Sequence, residues 1–158
     1  LEPARCRADY TIDTTLLTAG QLRERVASLF SVKASAMVVN CMSFGFKYGI
    51  PPEADLVFDL RSLPNPFYVE RLRPKTGLDS DVESYVLSNP QAIQLLAKLC
   101  DLTAFLVPLA ETEGRSQFTI AVGCTGGRHR SVAFTQKISS YLSDRGYNAI
   151  ALHRDIKK

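Results

Sequence analysis

The stretch that most constrains this chain is Val122-Gly123-Cys124-Thr125-Gly126-Gly127-Arg128-His129-Arg130-Ser131. Ahead of it, Phe118, Ile120 and Val122 alternate around Ala121, the pattern of a buried strand; after it, residues 132–142 carry apolar side chains at helical spacing. A strand that passes through a glycine-rich loop into a helix calls for an α/β layer. The glycines let the backbone turn tightly with N–H groups pointing inward, the helix adds its unpaired N–H groups and positive dipole end, and Arg128, His129 and Arg130 add cationic donors. Residues Cys124, Thr125, Gly126, Gly127, Arg128, His129, Arg130 and Ser131 therefore form a candidate anion cradle, most naturally for a phosphate. Read more plainly, the glycines close a turn and the basic residues face solvent. That reading leaves a Cys, a Thr, a Ser, a His and two Arg within eight positions unexplained.

The rest of the chain arranges itself around this loop. Residues 37–42 are a near-continuous apolar run, expected to be a strand covered on both faces of a parallel sheet. The Gly- and Pro-rich residues 43–52 then predict an irregular loop in which Ser43, Lys47 and Tyr48 are candidate contacts. A second strand is expected over 54–61, followed by a rigid loop in which Pro64 and Pro66 fix the backbone around Asn65. Arg71, Arg73 and Lys75 place three positive charges in the next loop, and Asp79 or Asp81 caps a short helix through Leu87. Asn89-Pro90 opens a longer helix, with Ile93, Leu96, Ala97, Cys100 and Ala104 along one side, a kink or interruption at Pro108, and an end at Gly114. Gly146 follows the helix after the cradle, a last strand is expected over 147–152, and a basic tail runs from His153 to Lys158. The fold class is α/β, a mostly parallel sheet with crossover helices and ligand loops at the strand C-terminal ends. If the strands are parallel, residues 43–48, 61–76 and 124–131 line one pocket.

The first part of the chain reads differently. A short strand over 8–12 and a helix opened by Thr18-x-x-Gln21 have no partner strand upstream, so residues 1–34 are expected to be the close of a preceding domain and 35–158 a domain of their own, joined through 31–35. A net charge of +3 is too mild to argue for nucleic acid by itself, although Arg128, Arg145, Arg154, Lys157 and Lys158 cluster positive charge toward the C-terminal end. Four cysteines without a C-x-x-C pair read as reduced thiols and not as metal ligands. No apolar run is expected to reach membrane-spanning length, and the charged start is no signal peptide.

Cys124 and Arg130 also fit the C-x5-R-S/T spacing of cysteine-dependent phosphatases, in which a thiolate attacks phosphorus while the Arg and loop N–H groups bind its oxygens. Asp59, Asp79 or Asp81 would be the general acid. This remains the alternative to a binding role.

Five blocks in order carry a more specific signal: Ser43-Phe44-Gly45-Phe46-Lys47-Tyr48-Gly49-Ile50-Pro51, Phe58-Asp59-Leu60-Arg61, Leu63-Pro64-Asn65-Pro66, Leu72-Arg73-Pro74-Lys75-Thr76-Gly77-Leu78-Asp79, and Gly123 through Ser131. From about Ser35 onward the chain resembles the C-terminal domain of the RapZ/YvcJ family, bacterial P-loop nucleotide-binding proteins and RNase adapters, and residues 1–34 resemble the close of that family's N-terminal kinase-like domain. The resemblance implies an N-terminal domain that binds ATP and GTP through a Walker loop. No G-x-x-x-x-G-K-S/T occurs here, so no nucleotide or other cofactor is expected by that route in this chain. It further implies a cytoplasmic, non-membrane domain without catalysis of its own. From the enterobacterial branch the resemblance implies a domain that binds small regulatory RNA, presents it to an endoribonuclease and senses glucosamine-6-phosphate, and from the family a tendency to form homo-oligomers. A phosphorylated sugar or nucleotide sugar would then place its phosphate on Thr125, Gly126, Gly127 and Arg130 and its sugar toward Asn65 and Arg61, with Lys47 and Arg73 nearby. RNA would meet Arg145, Arg154, Lys157 and Lys158. The chain departs from the enterobacterial branch at Phe67, where that branch carries His, and in a less basic tail.

Overall fold

The computed structural model describes residues 11–15, 17–29 and 37–158. Two compact units divide the chain, Leu1–Ser35 and Ala36–Lys158. In the first, the capping box forms as its sequence requires. The Thr18 N–H donates to Gln21 Oε1 at 2.9 Å and the Gln21 N–H to Thr18 Oγ1 at 3.3 Å, which opens helix α1 (Ala19–Leu29). Of the strand expected over 8–12, residues 8–10 lie outside the described residues, as does the junction over 31–35; Thr11 and Ile12 are irregular.

The second unit is built on four strands, β1 (Val38–Gly45), β2 (Leu56–Asp59), β3 (Gln117–Cys124) and β4 (Asn148–His153), in the order β2-β3-β1-β4. Every neighbouring pair is parallel. Helices α2 (Ser80–Leu87) and α3 (Pro90–Thr112) join β2 to β3, and α4 (Arg130–Ser143) joins β3 to β4. The crossover from β1 to β2 carries no α-helix, only a 3-10 turn over Phe46–Tyr48, so crossover helices serve two of the three connections. Helix α4 packs on β4, β1 and β3, and α2 and α3 pack against it. The core lies between these layers, with Val39, Cys41, Phe118, Ile120 and Val122 from the strands meeting Phe134, Ile138 and Leu142 from α4.

Several expectations are corrected here. Strand β1 runs three residues past Met42, so Ser43, Phe44 and Gly45 are paired backbone and not loop; Phe44 is fully buried and could not end a strand in solvent. The face of the sheet away from α4 is covered at its centre, where Ala121 is buried and no residue of β1 is exposed, and open at its edge strands. Val57, Ala121, Met42 and Leu152 stand opposite one another across the four strands, and Val57 and Leu152 are exposed. Of the two effects expected at Pro108, an interruption does not occur, since α3 continues to Thr112. Only one more turn follows the proline, so a single lost ladder bond suffices to accommodate it. The helix is long and apolar enough, by length and composition, to cross a membrane, against the expectation that no run would be. It carries Lys98 and Asp101, however, and buries Ala92, Leu99, Cys100, Thr103, Val107 and Ala110 in the second unit. Asn89 caps α3 as predicted, accepting from the N–H groups of Gln91 (2.9 Å) and Ala92 (3.1 Å). Asp79 occupies the cap position of α2 but turns its carboxylate back to the N–H and hydroxyl of Thr76.

Candidate functional site

Because β1, β2 and β3 are parallel, the loops at their C-terminal ends emerge on one edge. Gly45 stands opposite Cys124 and Asp59 opposite Gly123, which puts the turn over 46–48, the loop over 60–68 and the loop over 125–129 side by side. Main-chain bonds tie them: Lys47 N–H to Thr125 O at 3.1 Å, Leu60 N–H to Gly123 O at 2.8 Å, and Gly77 N–H to Arg128 O at 2.9 Å. Gly127 sits at φ +76, and a Cβ there would lie 2.5 Å from the Gly45 nitrogen. Only glycine permits both that dihedral and that approach of two backbones.

The three loops enclose a cavity of about 380 Å³, the size class that takes a small molecule. Its lining holds five cationic side chains, Lys47, Arg73, Arg128, Arg130 and Lys158, and no Asp or Glu. Cys124, Thr125, Gly126 and His129 come from the cradle loop, Asn65 from the loop after β2, and Tyr48, Phe67 and Tyr68 supply aromatic rings. The structure thus gathers most of the residues singled out in the sequence. Among the candidate contacts it leaves out Gly127, Ser131, Ser43 and Arg61. Gly127 is packed on β1, and Ser131 is buried with its Oγ 3.2 Å from Cys124 Sγ. Ser43 is buried and bonded to His153 Nδ1 at 2.9 Å. Arg61 makes a bidentate pair with Asp59 and lies over the Phe46 ring at 4.0 Å, outside the cavity lining.

Arg130 has a part beyond the one its position in the motif suggests. Its side chain is buried, and Nη1 donates to the carbonyls of Leu63 (2.7 Å) and Arg61 (3.1 Å), with Leu60 O farther at 3.4 Å. Nη2 donates to Thr125 Oγ1 at 3.2 Å. The guanidinium therefore staples the loop after β2 to the cradle. Among the described residues it meets no carboxylate within ion-pair distance, and its Nε has no partner. His129 Nε2 is likewise buried without a partner. Burial pushes the His129 ring down, against the pull of the Arg73, Lys75 and Leu72 carbonyls, so it is neutral at pH 7. Arg128 reaches back to Pro74 O (2.5 Å) and Lys75 O (3.2 Å), and Arg73 donates to Phe67 O (3.1 Å) while lying over its ring.

The family whose model matches residues 37–157 is described as the RapZ C-terminal domain. This chain belongs to that family. A nucleotide-binding protein of Geobacillus thermodenitrificans is 52% identical across 100% of this chain and 53% of its own length. One of Acetivibrio thermocellus is 49% identical across 100% of this chain and 55% of its own, and one of Caldanaerobacter subterraneus 48% identical across 99% and 56%. The chain spans about half the length of these curated relatives.

In this RapZ-type domain the four residues expected to meet RNA do not form one patch. Arg145 precedes β4, stacked on the Tyr141 ring at 3.5 Å. Arg154, Lys157 and Lys158 follow β4, at the cavity end of a strand that spans about 20 Å. Arg154 pairs with buried Asp155 (2.7 Å) and donates to Gly49 O (2.7 Å), while Lys158 pairs with the same carboxylate at 2.8 Å. Burial pushes the Asp155 carboxyl up, but Arg154, the Gly45 N–H and Lys158 outweigh it and hold the group down to about 2. The basic tail is a folded latch whose last residue lines the cavity. Sequence reasoning missed this role of Asp155 and Lys158, and it missed Tyr68. The signal for Tyr68 was its place beside Phe67 in a proline-fixed turn after a strand.

Proposed function

We propose that this chain is the regulatory domain of a RapZ/YvcJ-type nucleotide-binding protein, and that its cavity binds a phosphorylated sugar, nucleotide sugar or related anion. The observation that carries the reading is Arg130. It is a guanidinium only 2% exposed, met within hydrogen-bond reach by neutral oxygens alone among the described residues, with the Asp59 carboxylate acting on it only from beyond ion-pair distance, in a cavity with four further cations and no acid. Buried charge is ordinarily paired; a phosphate would supply the missing charge and an acceptor for Arg130 Nε. In this reading the domain reports metabolite level in the cytoplasm as an RNase adapter, and the ATP- and GTP-binding Walker domain belongs to the half of the protein outside this chain.

The test is calorimetric titration with glucosamine-6-phosphate, UDP-N-acetylglucosamine and inorganic phosphate, repeated on Lys47→Ala. Saturable binding that weakens in the variant supports the reading; silence across the panel with folded protein removes it. RNA binding, the adapter's other requirement, is read by salt-dependent retention of a structured RNA before and after neutralising Lys157 and Lys158.

A phosphatase using Cys124 and Arg130 finds less support. It needs an acid near its working pH beside the leaving oxygen. Asp59 is held below the usual carboxylate range by Arg61, Asp79 by the Thr76 backbone and hydroxyl, and Asp81 by Lys75. None of the three lines the cavity.

A further inference from the structure

The rim of the cavity is aromatic, and that feature is not needed for a phosphate. Phe67 and Tyr68 line the cavity while remaining 49% and 80% exposed. They sit on the 3-10 turn Pro66–Tyr68, whose start is fixed by Pro66 and by Asn65 Oδ1 accepting the Phe67 N–H. Arg73 holds the turn from the other side through Phe67 O and places its guanidinium 5.1 Å from the Phe67 ring centroid. The two rings stand edge to face with centroids 6.0 Å apart. Large apolar rings kept in water on a braced turn are a standing platform for a flat partner.

The remaining lining narrows the partner. A free amino sugar carries an ammonium, which would enter a site with five cations and no carboxylate to receive it. A nucleobase brings no ammonium. It is flat and uncharged, its π-face stacks on an aromatic side chain, and cationic donors can reach its carbonyl oxygens.

We propose that the ligand of this cavity is a nucleoside phosphate, with its phosphate among Lys47, Arg128 and Arg130 and its base stacked on the face of one ring of the Phe67–Tyr68 pair and meeting the edge of the other. The inference rests on the cavity being an anion site, and it is separate from any Walker-loop site elsewhere in the relatives. It selects the nucleotide-linked member of the ligand classes considered above. The nucleotide may be free or the unpaired end of a single strand, since both present the same base and phosphate.

Titration of the full chain with UDP, uridine, pyrophosphate, glucosamine-6-phosphate and a short oligouridylate separates the outcomes. UDP should bind about tenfold or more tightly than pyrophosphate, the range that one base stacked on aromatic rings supplies. The doubly substituted Phe67→Ser, Tyr68→Ser protein should lose that excess and keep its pyrophosphate affinity, because both side chains are exposed and neither holds the core. Lys47→Ala should weaken UDP and pyrophosphate together. Equal affinity for UDP and pyrophosphate, or tighter binding of glucosamine-6-phosphate, would overturn the base platform while leaving the anion cavity intact. Binding of no phosphate compound would remove the anion cavity and this inference with it. Oligouridylate bound at the rim with 5′-phosphate dependence, alongside UDP, assigns the strand end as the source, whereas oligouridylate binding without UDP binding overturns the proposal in favour of a surface for RNA.

Discussion

Replacing Arg130 with Met keeps an unbranched apolar stem and deletes the guanidinium with its donors, so it removes the staple. Wild-type Arg130 holds Leu63 O at 2.7 Å, Arg61 O at 3.1 Å and Thr125 Oγ1 at 3.2 Å. Leu60 O, at 3.4 Å, contributes least. Leu60 and Leu63 are themselves buried, so their carbonyls have little water to turn to, and leaving a buried acceptor unpaired costs roughly 1–3 kcal/mol. Relief from burying a guanidinium that has no ion pair offsets part of this, and the net expectation is a loss of about 3 kcal/mol. For a chain of this size that lowers Tm by about 6–12 °C. Urea denaturation followed by far-UV circular dichroism reads the difference. A second arm compares phosphate with chloride at matched ionic strength. Phosphate bound to the native cavity stabilises by RT ln(1 + [L]/Kd), about 2.7 kcal/mol at a hundredfold excess over Kd, and that increment should shrink in Arg130→Met. A loss below about 1 kcal/mol, with the phosphate increment unchanged, would refute both the staple and the charge argument.

Neighbouring glycines should respond in opposite ways. Gly127→Ala must place a Cβ 2.5 Å from the Gly45 nitrogen at φ +76 and should fail to accumulate as folded protein. In Gly126→Ala the new Cβ meets nothing within 4 Å, so stability should move by no more than about 0.5 kcal/mol while phosphate binding weakens; thermal melts and titration distinguish the two. Asp155 has a folded pKa of about 2, below its unfolded value. Its contribution is therefore complete above pH 4 and disappears as pH falls toward 2, amounting to about 2 kcal/mol. Asp155→Asn should remove that acid-sensitive portion of the stability profile. Cys124→Ser should bind the phosphate panel as wild type does, and loss of a measurable phosphatase activity in that variant would reverse the present reading. Asn89→Ala should cost about 1 kcal/mol through the lost cap of α3, a value that equilibrium denaturation can check.

Local physics alone determined much of this protein. Alternation of Phe118, Ile120 and Val122 identified β3, Asn89-Pro90 opened α3, Thr18 and Gln21 capped α1, and the glycine-rich run between strand and helix marked the cradle. Each of these signals lies within a few residues of what it specifies, so periodicity, dihedral limits and capping chemistry make it legible. The parallel order also followed in outline, because strands separated by helices return in the same direction, and from it came the gathering of the three loops. Tertiary structure alone decided what the charged residues do. Arg130, which its spacing marks as a phosphate ligand, is also a clamp on carbonyls 60, 61 and 63, the basic tail became a latch closed on buried Asp155, and Arg61 turned away to Asp59. Long cationic side chains choose among acceptors many residues away, and the winner depends on which carbonyl or carboxylate the fold brings within about 3 Å and shields from water. Sequence spacing carries no record of that competition.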